Sequence, residues 1–345
     1  MTAAALRTTN IIVVVDGNKI QGLLHAYIAT TDCFSSDSFT VTFPIGTTPL
    51  LDLDVWSSMA SAYVEISATT GSPLTTQSLI TGMADTIIID PIRRTATIEG
   101  RDLSSTMIDS YRQQDFVNQT ASEVVSAIAR NHGLTASVQP TTGSVGRYYG
   151  DGYTRLSLGQ FSRLRSDWDV VVQLARENDF DVFVENTTLF FQPSTRSIIA
   201  PIPLSVSSVQ RLSVEAALTI TSTTSARLQS WNSQTMTSYD SSSAAAISNG
   251  PQTAPPPENQ AFLFGASNLT SQQVTDSASR YTAELTRLAK TLHFDMPWNL
   301  TLSPRSAILL NGTNSSLDTN YKIDRVERYY NEKSGSFQTI RAIDI

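Results

Sequence analysis

The sequence has one cysteine, no basic run and no long apolar stretch in 345 residues, and each of these absences closes off a class of protein. Cys33 alone can build neither a disulfide framework nor a cysteine zinc site within the chain. In a strand-rich region it is expected to be a small core residue. No apolar stretch approaches the ~20 residues that a membrane-spanning helix needs, and Ile11–Val15 is too short for the core of a secretory signal. Charged residues make up 16% of the chain, against a usual ~25%. Ser and Thr fill the gap, which suits β-rich surfaces and polar subunit interfaces. The net charge is −7 with no Lys/Arg cluster, which argues against a protein that reads nucleic acid.

Catalytic patterns are missing too. His25, His132 and His293 are far apart and sit in no ligand-spaced motif. There is no Gly-x-Ser-x-Gly elbow, no phosphate loop and no His-Glu-x-x-His. Carboxylates such as Asp151 and Asp181 cannot be paired from spacing alone. The residues therefore nominate no catalytic, cofactor-binding or metal-binding side chain, and the chain is not expected to be an enzyme.

What is present is a pattern that occurs twice. Residues 97–102 read Thr-Ile-Glu-Gly-Arg-Asp and residues 339–344 read Thr-Ile-Arg-Ala-Ile-Asp. Each closes a predicted hairpin: Asp85–Asp90 with Thr95–Gly100, and Tyr321–Tyr330 with Ser336–Ile343. An apolar strand precedes each, at Ala62–Ser67 and Ala307–Leu310. Before those come strands with a Ser start, Ser38–Phe43 and Ser225–Trp231. This order predicts an internal duplication. Val41 and Leu228 are 187 positions apart and Ile98 and Ile340 are 242 apart, so the second copy carries a 55-residue insertion between Trp231 and Ala307. That stretch holds the most linker-like segment, Tyr239–Gln260, with the run Pro255-Pro256-Pro257.

Between the copies the character changes. Thr120 and Glu123 form a capping-box pattern ahead of an apolar helix face, with Gly133 as its stop. A second helix starts at Ser166 with Asp167 and Asp169 in its first turn. A hairpin follows, Asp181–Val184 with Leu189–Gln192. Thr270–Leu292 is the longest predicted helix, with an apolar seam at steps of four and three. It is expected to pack on the chain's own barrel. The loop Arg147–Tyr153 puts Tyr148, Tyr149 and Tyr153 on a Gly-rich segment, which makes them interface candidates.

These segments, in order, resemble a known family. Glu99-Gly-Arg-Asp-Leu103, Thr120-Ala-Ser-Glu-Val124 leading to Asn131-His-Gly-Leu134, Ser166-Asp-Trp-Asp-Val170, Ala226-Arg-Leu-Gln-Ser-Trp231 as the strand that opens a second barrel, and Tyr321-Lys-Ile-Asp-Arg-Val326 look like the baseplate hub proteins of contractile-tailed phages. The match is to the Mu-like or late-control-D-like hub group, also similar to the N-terminal part of type VI secretion spike proteins. The resemblance implies an α+β, mostly β chain: a tube-like β-barrel at 1–100, an α/β domain at 101–200, a second barrel from 201–231 and 291–345, and a helix-containing insertion at 232–290. It implies a homotrimeric ring in the tail baseplate of the virion, assembled in the host cytoplasm, that adapts the six-fold tail tube to the three-fold central spike. The implied partners are the chain itself, the tail tube protein and the spike protein, with the tape-measure protein and baseplate wedge proteins beside them. No cofactor, specific nucleic acid or membrane insertion is implied. The sequence ends at Ile345 without the oligonucleotide-fold barrel and β-helix of type VI spikes, which leaves the spike to a separate protein. Two other classes stay open at this point, a tail-associated cell-wall hydrolase and a receptor- or glycan-binding module.

Overall fold

A computed structural model describes residues 10–46, 52–70, 75–112, 116, 119–142, 144–145, 165–194, 200–217, 225–232, 236–244, 261–267, 269–287 and 289–344. The chain is mostly β with a few helices. In the first half, β1 (Asn10–Val15) and β2 (Asn18–Ile20) form a hairpin whose turn, Asp16-Gly17, takes positive φ at both residues. Next come β3 (His25–Thr31), β4 (Ser38–Pro44), the short helix α1 (Leu53–Ser58), β5 (Tyr63–Thr70), β6 (Thr75–Asp90) and β7 (Thr95–Asp102). Alternate residues of β4 and β7 point inward. Val41, Phe43, Ile66 and Ile98 are fully buried and meet Trp56 of α1 in one core.

The middle of the chain is a small α/β unit. It holds α2 (Ser105–Ile108), β8 (Tyr111–Arg112), β9 (Gln119–Thr120), α3 (Ala121–Asn131), β10 (Thr135–Val138), β11 (Ser144–Val145), β12 (Arg165–Ser166), α4 (Asp167–Asn178), β13 (Phe180–Glu185) and β14 (Thr188–Pro193). Both main helices begin in capping boxes, Thr120 with Glu123 and Ser166 with Asp169, so two otherwise orphaned N–H groups are satisfied at each start. Gly133 follows α3 at φ +72°, where a side chain would be strained. The helices share a core with a three-stranded sheet ordered β10-β14-β13, through Val124, Ile128, Val171, Leu174 and Phe191. Tyr148, Tyr149 and Tyr153 lie outside the described residues.

The second half contains β15 (Ile202–Ser205), β16 (Arg211–Ala216), β17 (Ser225–Asn232), β18 (Thr237–Ala244), β19 (Ala261–Ser267), α5 (Ser271–Thr286), β20 (Lys290–Met296), β21 (Ala307–Asn311), β22 (Asn320–Asn331) and β23 (Gly335–Asp344). Leu292, Phe294, Ile323, Val326 and Ile340 form its core.

The duplication is legible in the ladders. In the first half β4 pairs with β7, β7 with β6 and β6 with β5, and β3 flanks β4. In the second, β20 pairs with β23, β23 with β22 and β22 with β21, and β16 flanks β20. Ile98 sits between Val41 and Ile87, and Ile340 sits between Phe294 and Val326. Even the bulges match: β6 skips Asp85 opposite Gly100 and Glu99, and β22 skips Asp324 opposite Ala342 and Arg341. The hairpin endings at 97–102 and 339–344 thus occupy equivalent strands.

Three expectations are corrected. The first concerns the partner of β4. Its counterpart is β20, so Val41 matches Phe294 and not Leu228. Ser225–Asn232 lies instead in a separate three-stranded sheet, β18-β17-β19. Its apolar alternation specifies a half-buried strand but not which sheet receives it. The insertion therefore falls between β16 and β20, and β17 belongs to it. Ala26 and Leu212 are equivalent at a separation of 186 and Val41 and Phe294 at 253, which makes the insertion 67 residues. The run Pro255–Pro257 lies outside the described residues.

The second correction concerns the long helix. It stops at Thr286, and Lys290–Met296 is a strand. Val274, Ala278 and Thr282 face the inserted sheet, packing with Leu228 and its neighbours rather than with a barrel. The third concerns the barrels. Among the described residues neither half forms a closed barrel. All the main strands join one 13-stranded sheet, ordered β16-β20-β23-β22-β3-β4-β7-β6-β5-β1-β2, with β21 and β15 branching from β22. The two halves join where β22 pairs with β3.

Candidate assembly interface

The seam between the halves is the joint on which the chain's shape depends. Seven residue pairs run antiparallel from Thr31↔Arg325 to His25↔Asn331. On the inner side Ala26, Ile28 and Val326 are buried, as is Arg328. Arg328 donates from Nη2 to the Leu302 carbonyl at 2.8 Å, and burial lowers its pKa to about 10. On the outer side Tyr27, Tyr329 and Phe337 form an aromatic ladder, with ring centroids 5.0 Å and 4.7 Å apart. The Tyr329 hydroxyl donates to Glu327 at 2.7 Å, and Arg325 pairs with the same carboxylate at 2.7 Å.

One end of the seam is locked by charge. Asp32 is 3% exposed and pairs with Arg287 at 3.0 Å and Lys322 at 3.1 Å. Lys322 also lies 3.9 Å from Asp181, and Arg305 donates to the Asp32 carbonyl at 2.7 Å while its guanidinium sits 3.6 Å over the Phe183 ring. The cluster ties β3, the second half, the middle unit and α5 at one point. Breaking one arm would leave a buried charge without its partner, the costly case for buried ion pairs. Beside it is a cavity of about 470 Å³, lined in part by Cys33, Phe34, Arg176, Asp181, Arg287 and Lys322. Cys33 is partly buried here, and burial with Asp32 and Asp181 nearby pushes its thiol far above the ordinary range. A thiol held protonated is a weak nucleophile.

A carboxylate pair, Asp102 buried and Asp37 half-buried, holds the start of β4 to the end of β7. Asp37 accepts from the Thr31 N–H at 2.7 Å, and its own N–H donates to Asp102 at 3.2 Å. Asp102 also accepts from Ser36 at 2.7 Å and from the Ser104 N–H at 3.1 Å. Burial first, and the Asp102 charge second, raise Asp37 to about 7.

The histidines serve as fasteners. His132 meets Asp167 at 2.7 Å and ties α3 to α4, while His25 meets Asn331 at 3.0 Å at the far end of the seam. His293 lies 4.0 Å from Glu215 at the β16–β20 edge. Among the described residues no group of three or more His, Cys, Asp or Glu is placed to hold a metal ion, and no helix is long and apolar enough to cross a membrane.

No protein-family model and no curated protein sequence matches the chain. Solved structures do. A tail protein from Neisseria meningitidis matches with TM-score 0.71 at 12% identity, over 97% of this chain and 96% of its own. The 43 kDa tail protein of prophage MuSo2 from Shewanella oneidensis matches with TM-score 0.69 at 12% identity, over 96% and 97%. The chain has the fold of these phage tail proteins. A component of the Escherichia coli type VI secretion system, described as structurally similar to the T4 tail proteins gp27 and gp5, matches with TM-score 0.56 at 12% identity, over 96% of this chain and 76% of its own. The tail-protein fold therefore spans nearly the whole chain, as the ordered run of sequence segments implies. The seam was not legible in the sequence. Asp85 in β6 and Asp324 in β22, each the skipped residue of its bulge, mark how the two copies align but carry no signal for the pairing of β3 with β22.

Proposed function

We propose that this protein is a structural baseplate hub of a contractile phage tail, a homotrimer whose ring adapts the six-fold tail tube to the three-fold central spike. The observation that carries the proposal is the duplicated strand order within a tail-protein fold. Two equivalent five-stranded units per chain give six in a trimer, and closed rings need repeated, self-complementary surfaces. Six similar units suit a hexameric tube on one side, and true three-fold symmetry suits a trimeric spike on the other. The tube and spike proteins are the direct partners, with the tape-measure and wedge proteins nearby. The place of action is the tail baseplate of the virion.

In this proposal the chain catalyses nothing, and its axial channel lets other molecules pass without holding them. A net charge of −7 without a Lys/Arg cluster favours a channel that does not bind DNA phosphates. The deciding experiment is the native mass of the pure chain, alone and mixed with its tube protein. The expected result is a trimer, formed alone or on mixing. A monomer or dimer at high concentration, with no ring on adding tube or spike protein, would overturn the proposal. Hydrolysis of peptidoglycan by the pure chain, abolished by one carboxylate substitution, would overturn the non-catalytic part.

A further inference from the structure

Two arginines beside the Asp32 cluster differ from the other cations around them. Four cations line the cavity of about 470 Å³ there. Arg287 and Lys322 are both paired with Asp32. Arg176 and Arg280 are in no ion pair among the described residues. Each instead lies over an aromatic ring, Arg176 5.2 Å from the centroid of Phe34 and Arg280 5.4 Å from that of Tyr281. Stacking holds a guanidinium flat and leaves its N–H edge free to grip a carboxylate as a fork. Arg280 gives one N–H to the Ser277 hydroxyl at 3.3 Å. Phe34 itself takes φ +65°, a costly backbone state for a bulky residue. Its N–H donates to the Val182 carbonyl at 3.0 Å, and its carbonyl accepts from the Trp168 indole at 3.3 Å. The strained backbone sets the Phe34 ring as a wall of the cavity and a base for Arg176.

A second cavity adjoins the first at these arginines. Arg176, Arg280 and Glu284 also line a space of about 590 Å³ between α4 and α5. The first cavity has an apolar wall of Phe34, Phe180, Ala283 and Ile343. The second is a polar trough, with Asp169, Gln173 and Glu177 along α4. In the trough Asp169 accepts from the Ser166 N–H at 3.3 Å and Glu177 accepts from Gln173 at 2.8 Å. From Asp169 to Arg176 the helix rises about 10 Å, the length of about three residues of extended chain. An apolar hole, a guanidinium pair and one trough thus meet at a single point.

We propose that this cleft binds the C-terminal end of a partner protein, through a last residue that has a large apolar side chain and a free carboxylate. Such a residue presents three groups from one Cα: a side chain, a carboxylate and a chain that leaves in one direction only. The three parts of the cleft match them. The side chain enters the hole against Phe34, Phe180 and Ile343. The carboxylate is shared by Arg176 and Arg280. The chain runs out along α4, where Glu284 accepts one of its backbone N–H groups. Capture of a terminal carboxylate is a recurring mode of peptide recognition. Asp169 and Glu177 in the trough favour neutral or basic residues before the last one. A compact anion would leave the trough uncovered, and an internal acidic residue would need a second trough for the chain beyond it. The cleft lies within one chain, so the proposal stands apart from the hub assembly.

The test is fluorescence anisotropy with the full chain and the peptide Lys-Gly-Ser-Gly-Phe, labelled with fluorescein at its N-terminus and free at its C-terminus. Saturable binding is expected. Amidating the carboxylate should weaken it by about ten-fold or more, and so should replacing the final Phe by Ala. Arg176→Gln and Arg280→Gln should each weaken it by a similar factor with little change in melting temperature, since neither side chain holds an ion pair. Arg93→Gln, on the exposed turn between β6 and β7, should leave it unchanged. Equal binding of the amidated peptide, or parent-like binding by both arginine variants, overturns the proposal. Binding of an amidated peptide with Asp before Phe, but not of the free-ended one, also overturns it and assigns the cleft to an internal acidic segment. No saturable binding of the free-ended peptide, nor of versions ending in Leu or Ile, overturns it as well. If an arginine variant folds poorly, the comparison of free and amidated ends on the parent chain still decides.

Discussion

The two halves are built on one strand order with different side chains, and their differences fall at matched positions. Where β4 meets β7, Phe39 stands opposite Gly100; where β20 meets β23, Leu292 stands opposite Ala342. All four sit at the core face. A Cβ on Gly100 would come within 2.6 Å of the Phe39 ring and 2.3 Å of the Met83 carbonyl oxygen. One copy pairs a large ring with no side chain, the other a medium side chain with a small one. At the next matched pair the first half sets Asp37 beside Asp102, and the second sets Lys290 3.8 Å from Asp344. At the bulges, Asp85 pairs with Arg101 near the surface, whereas Asp324 is almost fully buried and pairs with Arg341. Interiors are close-packed, so a fold tolerates such changes when volume and charge are adjusted together.

The largest expected effect tests the size exchange. Gly100→Ala should destabilise by about 1–3 kcal/mol through overpacking. Phe39→Leu should cost a similar amount through the space it leaves. The double variant copies the second half, and it should cost less than the sum by at least about 0.5 kcal/mol. Denaturant unfolding of the four proteins reads this cycle; strict additivity would mean the matched positions are not interchangeable.

A smaller effect is expected at the bulges. Asp324→Asn removes a buried carboxylate that accepts from the Arg341 Nε at 3.0 Å. Allowing for the partial exposure of Arg341, it should cost about 1–2 kcal/mol. Asp85→Asn should cost at most about 1 kcal/mol, since both partners are about a third exposed. Equal losses would remove the distinction between the two bulges.

The smallest effect is one of pH. Asp37 has its folded pKa raised from 3.8 to about 7. In the folded state it therefore holds its proton at pH values where the unfolded chain has lost it. Its stabilising contribution is fully present below about pH 4 and is lost as pH rises through about 7. Asp37→Asn should unfold like the parent at pH 4 and be more stable by about 1 kcal/mol at pH 8. Melting curves across that range check it; a parent whose stability rises from pH 5 to 8 relative to the variant would show the reverse sign.

Local signals determined much of this protein. The capping box at Thr120, the helix start at Ser166, the hairpin at Phe180–Pro193 and the strand endings at 97–102 and 339–344 all stand where the sequence places them. Each depends on residues close together in the chain, so its physics is written in a short window. The tail-protein fold was also legible, from the order of such segments. Strand partners were not. Ser225–Asn232 alternates as a sheet strand must, yet period two is the same for every sheet, and tertiary packing under α5 put it in the insertion. The seam pairs residues as far apart as His25 and Asn331, and backbone hydrogen bonds carry no side-chain code to announce a partner at that distance. The same holds for the barrels. The strands of both halves were foreseen, and the meeting of β3 with β22 in three dimensions decided that the two would share one sheet.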